Sequence, residues 1–232
     1  MLRVMPFLVM LVLAAGCVAG GNNDKPVQTF TPLPLSDLEQ LGRNLYFDAW
    51  LSSPPGQSCA ACHDPAAGWT GPRSDINQGG AAYPGAVPDR FGNRKPPSAA
   101  YATPSPVLRY DAAERLFRGG NFWDGRATGW LLGQPAAEQA QGPLLNPVEH
   151  NLPDAATVVK KVCASAYGDQ FRAIYGTTIC GNVVNAYNAI GQALFAYENS
   201  SELNAFSSKY DHYLRDPGQY PLTAQELLGL KL

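Results

Sequence analysis

Two cysteines and a histidine stand close together in the run Cys59-Ala60-Ala61-Cys62-His63. Thiols at this spacing can form thioethers with the two vinyl groups of one haem, and the adjacent imidazole can then bind the iron. A disulfide, half of a zinc site and a thioredoxin-like redox pair are the alternatives. Zinc would need two further ligands, but residues 64–149 contain no cysteine or histidine. A redox pair favours a strand–helix setting, which the surrounding prolines and glycines do not offer. The motif therefore predicts one covalently bound haem c.

Few residues are available for the opposite side of the iron. Met1, Met5 and Met10 are the only methionines, and all lie in the N-terminal segment expected to be removed. Of the two remaining histidines, His212 belongs to a predicted surface helix and is expected to be solvated, which leaves His150 as the candidate distal ligand. If His150 does not bind, the iron is open to a small molecule. Peroxide chemistry or ligand binding is then favoured over simple electron carriage.

The N-terminus carries export signals. An apolar run from Phe7 to Ala15 follows a positive flank at Arg3. This pattern is typical of a signal peptide and is too short to span a bilayer as a mature helix. The small residues before Cys17 resemble a lipoprotein processing site, so we expect lipidation of Cys17; ordinary cleavage with a soluble product is the alternative. The sequence predicts a periplasmic protein, with a membrane tether at Cys17.

Two further cysteines, Cys163 and Cys180, remain outside the haem motif. In an oxidising compartment they are expected to pair. Closing a loop of this size contributes about 3 kcal/mol in the chain-entropy model. A catalytic thiol is the less favoured alternative.

Composition and periodicity predict an all-α protein with long loops. Hydrophobic residues make up 45% of the 232, enough for a packed core, while a net charge of −2 offers no basic surface to nucleic acid. Ser36 and Glu39 have capping-box spacing, which predicts a helix through Phe47. Thirteen of the twenty prolines lie between 54 and 147, a region expected to form loops and short helical turns. Further helices are predicted near 155–164, 169–175 and 203–214, and a core helix carries the stripe Val183, Tyr187, Ile190, Leu194 and Tyr197. No convincing run of alternating strands appears.

One segment occurs twice. Residues 34–45 (PLSDLEQLGRNL) align without gaps with residues 221–232 (PLTAQELLGLKL). Because the first copy leads into the haem motif, the second predicts the beginning of another haem domain; chance similarity between amphipathic helices is the alternative. The predicted organisation is a signal peptide (1–17), a flexible leader (18–34), an N-terminal cytochrome c domain (35–215) and the start of a second domain (216–232).

Four motifs carry a resemblance to a known family. They are Leu41–Asp48, Phe122–Ala127, Gln139–Pro143 and Asn146–Glu149. In this order they resemble the bacterial di-haem cytochrome c peroxidases, which include the MauG-type enzymes.

The resemblance implies a fold and a set of site residues. It implies two class I-like cytochrome c domains, of which this chain holds the N-terminal, peroxide-reacting one. His63 would be the proximal ligand, and Glu149 would move a proton between the peroxide oxygens. Gln139 would orient the peroxide, and Trp123 would lie on the electron path between two haems.

The sequence departs from the family pattern in three places. Many relatives cap the iron with a loop histidine after the haem motif, and its absence here favours an open site. The family's methionine after Asn-Pro-x-Glu is replaced by His150, which could cap the iron instead. Lys95 stands where many relatives have asparagine near an interdomain calcium site, which argues against calcium.

The expected function is a haem c-dependent peroxidase that reduces hydrogen peroxide with electrons from a small cytochrome c, another periplasmic donor or a partner protein that the haem oxidises. A second haem is expected in a full-length protein. A one-haem electron-transfer or ligand-binding cytochrome without catalysis is the alternative, and an incomplete product without independent activity is the third hypothesis.

Overall fold

The computed structural model describes residues 31–232, so the predicted signal peptide, Cys17 and most of the leader lie outside the described residues. The chain forms two compact units that divide between residues 207 and 208. The predicted boundary lies at 215, and the domain assignment stays a prediction. The helices of the first unit are α1 (Asp37–Phe47), α2 (Cys59–Cys62), α3 (Ser74–Gln78), α4 (Pro135–Leu145), α5 (Ala155–Ala164), α6 (Gly168–Tyr175) and α7 (Val183–Glu198).

Helix α7 is the centre of the first unit and packs against α1, α4 and α5. Two glycines permit close approach of the helix backbones. A Cβ atom on Gly42 would lie 1.9 Å from the Ala193 carbonyl oxygen, and one on Gly191 would lie 2.7 Å from that of Ala137. The predicted stripe of α7 supplies Ile190, Leu194 and Tyr197 to the core, where each is fully buried. The prediction of a core helix is therefore confirmed, but the stripe was wrong at Val183, which lies in the first turn and is 38% exposed.

Side-chain caps explain where the main helices begin. The Ser36 hydroxyl accepts from the Glu39 amide, and the Glu39 carboxylate accepts from the Ser36 amide at 2.7 Å. This capping box confirms the predicted helix that ends at Phe47. Asp154 caps α5 by a single hydrogen bond, in which its carboxylate accepts from the Thr157 amide at 2.7 Å. The helices predicted near 155–164 and 169–175 are confirmed as α5 and α6.

Residues 48–134 contain only short elements, and the sequence did not predict the β-hairpin among them. Strands β1 (Arg109–Asp111) and β2 (Leu116–Arg118) form an antiparallel hairpin. The Asp111 carboxylate accepts from the Ala113 and Glu114 amides in the turn and pairs with Arg118 at 3.1 Å. Strands of three residues are too short for an alternating pattern to show in the sequence.

The second unit contains α8 (Lys209–Arg215) and α9 (Ala224–Lys231). The helix predicted over 203–214 was wrong at its start, because Ser208 forms a capping box with Asp211 and fixes the first turn there. Helix α9 begins with a capping box between Thr223 and Glu226, the same cap that opens α1. Within residues 31–232, no helix has the length and apolarity needed to cross a bilayer.

Candidate haem site

A cavity of about 1000 Å³ opens in the first unit. This volume is at the upper end of the range of about 300–1000 Å³ for small-molecule and cofactor sites. The residues singled out from the sequence reach it from loops and from α2 and α4. Its lining includes Cys59, Cys62, His63, Trp123, Gln139, Glu149 and His150.

The two thiols of the haem motif lie on one helical turn. Helix α2 spans Cys59–Cys62, and the His63 amide closes the turn by donating to the Cys59 carbonyl at 2.9 Å. Both thiols are free and line the cavity. Burial raises the pKa of Cys59 well above its ordinary value and that of Cys62 to about 11. Two free thiols on one helical turn that both line the cavity suit covalent attachment to a haem.

The imidazole of His63 is prepared for metal binding through Nε2. Its Nδ1 lies 2.9 Å from the Pro97 carbonyl oxygen and 3.3 Å from that of Trp69. Carbonyl oxygens only accept hydrogen bonds, so Nδ1 carries the proton and Nε2 keeps its lone pair. Burial lowers the pKa of His63, which favours the neutral form that binds metals. Metal-bound histidines in proteins commonly donate their second N–H to a backbone carbonyl in this way.

Gln139 and Glu149 line the same cavity, although they do not lie on the same helix. Gln139 lies on α4, and Glu149 lies in the turn that follows this helix. The Glu149 amide closes that turn by donating to the Asn146 carbonyl at 3.0 Å. The Asn146 side chain also donates to Glu149 Oε1 at 2.8 Å. Burial raises the pKa of Glu149, while Asn146 and Arg126 oppose the shift. The turn therefore presents a half-buried carboxyl that keeps a proton to higher pH than usual.

His150 is buried beside Glu149 and has a fixed ring. Its Nδ1 lies 2.6 Å from the Leu51 carbonyl oxygen, so Nδ1 carries the proton and the lone pair is on Nε2. Its backbone carbonyl accepts from the Ser53 amide at 2.8 Å. Burial lowers the pKa of His150 and favours neutral imidazole. Its ligation of iron stays a prediction.

Three cationic side chains and an exposed tryptophan are among the residues that line the cavity. The cavity lining includes Arg94, Lys95 and Arg126, and Trp123 is 92% exposed. Arg126 makes two hydrogen bonds to Asp124, at 2.9 and 2.8 Å. Sequence reasoning considered Lys95 only for calcium and missed these cations as partners for the carboxylates of a haem.

Sequence reasoning also missed Glu198. This residue ends α7, is 9% exposed and lines the cavity. Burial raises its pKa to about 8. The signal was present, because Glu198 is the single charged residue of a sixteen-residue helix.

The remaining cysteines lie apart from the cavity lining. Cys163 and Cys180 form a disulfide with an S–S distance of 2.05 Å, which joins the last turn of α5 to a 3-10 turn over Ile179–Gly181. Arg172 donates to the Cys163 carbonyl at 3.0 Å beside it. The disulfide thus ties α5 to the turn that precedes α7, and neither cysteine lines the cavity.

Comparison with known proteins gives consistent similarities. A family model described as di-haem cytochrome c peroxidase matches residues 36–219. The methylamine utilization protein MauG of Paracoccus denitrificans is 37% identical over 83% of this chain and 47% of its own length. The cytochrome c551 peroxidase of Pseudomonas aeruginosa is 31% identical over 85% of this chain and 48% of its own. A crystal structure of the diheme peroxidase BthA from Burkholderia thailandensis has a TM-score of 0.70 at 34% identity, over 88% of this chain and 47% of that one. The chain spans about half the length of these relatives.

Proposed function

Because the chain belongs to the di-haem cytochrome c peroxidase family, we propose that it is a haem c-dependent peroxidase that reduces hydrogen peroxide to water. A small cytochrome c or a partner protein, which is oxidised in the process, supplies the two electrons. One observation carries the proposal: the haem motif, Gln139 and Glu149 line one cavity. A cytochrome that only carries electrons needs no carboxyl with a raised pKa in the cavity that would hold its haem.

Haem c fits the residues of this cavity. Cys59 and Cys62 would hold it through thioethers, and His63 Nε2 would bind the iron. The cationic side chains of Arg94 and Lys95 supply charge that suits its carboxylates. When bound, haem c supplies the iron at which a peroxide O–O bond can break.

The chain's own residues handle the peroxide and its protons. Glu149 accepts a hydrogen bond at Oε1 from Asn146, which leaves Oε2 to take a proton from one peroxide oxygen and return it to the other. The raised pKa brings this carboxyl closer to neutral pH, where an acid–base group works best. Gln139 lines the same cavity and supplies an amide that can orient the peroxide. Trp123 is an exposed residue of the cavity lining, where electrons can enter.

We also propose a cellular location, a lipid anchor and a second haem for this protein. The apolar run from Phe7 to Ala15 and the Cys163–Cys180 disulfide support a periplasmic location. Cys17 is the proposed lipid anchor. The family's two haems, together with the repeat at residues 221–232, support a second haem in a following domain.

A one-haem electron-transfer or ligand-binding cytochrome is the second candidate function. It is favoured by one observation, the buried neutral His150 whose Nε2 keeps its lone pair at the cavity. An imidazole bound to the iron from this side would exclude peroxide.

The test uses the haem-loaded protein, hydrogen peroxide and a reduced small cytochrome c, with donor oxidation followed by absorbance. The proposal predicts that two donor molecules are oxidised per peroxide consumed, at a rate well above that of a haem-bearing peptide cut from the same motif. A rate equal to that of the peptide would refute it, since the cavity residues would then contribute nothing.

A further inference from the structure

An aromatic cluster lies against the cavity, on residues that the proposed chemistry does not use. We name Tyr46, Trp69 and Tyr197 the aromatic cluster. The ring of Tyr46 lies 5.3 Å from that of Tyr197 and 5.9 Å from that of Trp69, and Trp69 and Tyr197 are 6.1 Å apart. These centroid distances fall within the range of about 4.5–7 Å for aromatic rings in direct contact. Tyr46 also lines the cavity, so the cluster is continuous with the haem site.

The two tyrosine hydroxyls have different hydrogen-bond partners. The Tyr46 hydroxyl donates to the His63 carbonyl oxygen at 2.9 Å. A carbonyl oxygen is a poor base and would not keep the proton if Tyr46 lost an electron. The Tyr197 hydroxyl donates to Glu202 Oε2 at 2.9 Å. A carboxylate can keep that proton. Of these two tyrosines, only Tyr197 can therefore pass its proton to a hydrogen-bond partner at the moment it loses an electron.

Glu202 links this buried phenol to solvent. The Tyr197 ring is fully buried, whereas the Glu202 side chain is 28% exposed and lies 3.5 Å from Arg43. Burial and the Glu202 carboxylate both raise the pKa of Tyr197, so the phenol does not ionise by itself at neutral pH. If the ring were oxidised, the hydroxyl would pass its proton along this hydrogen bond to Glu202, which is in contact with solvent.

We propose that Tyr197, with Glu202 as its proton acceptor, is a redox-active site that gives one electron to the peroxide-oxidised haem by way of Tyr46. The O–H bond of Tyr197 breaks, its proton moves to Glu202 Oε2, its electron reduces the haem by one equivalent, and a neutral tyrosyl radical remains. The oxidant is the haem after reaction with hydrogen peroxide, so this inference rests on the proposed function. When no donor is bound, the site holds one oxidising equivalent away from the porphyrin until a donor reduces it.

The experiment is freeze-quench EPR of the haem-loaded protein mixed with one equivalent of hydrogen peroxide and no donor. The inference predicts an organic radical whose signal narrows when the protein is made with ring-deuterated tyrosine. Tyr197→Phe should abolish it, and Glu202→Gln should lower its yield. Tyr187→Phe is the matched control. It also removes a tyrosine hydroxyl from α7, but that hydroxyl donates to the Gln141 carbonyl oxygen and not to a carboxylate. This variant should leave the radical unchanged.

The outcomes separate the inference from the function beneath it. Peroxide consumption with a radical that deuterated tyrosine does not narrow, or that survives Tyr197→Phe, overturns the inference and leaves the peroxidase standing. Because the labelling test uses the unmutated protein, it holds even if a variant folds poorly. Absence of any peroxide consumption overturns both proposals together.

Discussion

The buried carboxyl of Glu198 predicts an unusual dependence of stability on pH. Burial raises its pKa from 4.5 to about 8. Between these values the unfolded chain has lost the proton while the folded protein keeps it, so folding stability falls as pH rises. The loss of folding stability begins near pH 4.5 and is complete by about pH 8. Since each pKa unit corresponds to about 1.4 kcal/mol, the whole change amounts to about 5 kcal/mol.

Glu198→Gln removes the titrating group and keeps the size and most of the polarity of the side chain. The free energy of unfolding of the haem-loaded variant, measured by denaturant titration from pH 5 to pH 9, should exceed that of the unmutated protein increasingly as pH rises. The difference should grow by about 1.4 kcal/mol per pH unit and level off near pH 8.

An exposed residue supplies the control for this titration. Glu114 lies in the turn of the β1–β2 hairpin, and Glu114→Gln should give a curve parallel to that of the unmutated protein. Parallel curves for Glu198→Gln as well would refute the reasoning, because the buried carboxyl would then have an ordinary pKa.

Three further predictions test other parts of the account, the last of them with a control variant. Glu149→Gln keeps the hydrogen bond from the turn but cannot carry a proton, so peroxide reduction followed by stopped-flow should slow by about 10²–10⁴-fold with haem content unchanged; a rate within twofold of normal would contradict the assigned role. Removal of the disulfide by Cys163→Ser with Cys180→Ser should lower the free energy of unfolding by about 3 kcal/mol in a denaturant titration, and an unchanged midpoint would refute this. Gly42→Ala places a Cβ 1.9 Å from a carbonyl oxygen of α7 and should cost about 1–3 kcal/mol by the same assay. Gly229→Ala, which meets open space on α9, should cost nothing, and equal losses would contradict the packing argument.

The features that depend only on residues close together in the chain could be predicted from the sequence. The capping box of Ser36 and Glu39 determines where α1 begins, and the spacing of Cys59, Cys62 and His63 places both thiols and the imidazole on one side of a single turn. The stripe of α7 was recognisable because helical periodicity persists over four turns.

The remaining features depend on contacts between distant segments. The convergence of Gln139 and Glu149 depends on how the turn after α4 folds, which no periodicity reports. The proton position on His63 depends on the Pro97 carbonyl, 34 residues away. The aromatic cluster likewise joins α1, a loop and α7, so only the folded chain shows that Tyr197 is in contact with the wall of the cavity.

The central claim is that His63 would hold an iron that peroxide can reach, in the cavity that Glu149 also lines. The most direct test is to record optical and EPR spectra of the ferric, haem-loaded protein before and after hydrogen peroxide is added. The account predicts a high-spin ferric signal that changes within the mixing time. A low-spin signal that peroxide leaves unchanged would contradict it, because the iron would then be capped, with His150 as the ligand that the cavity provides.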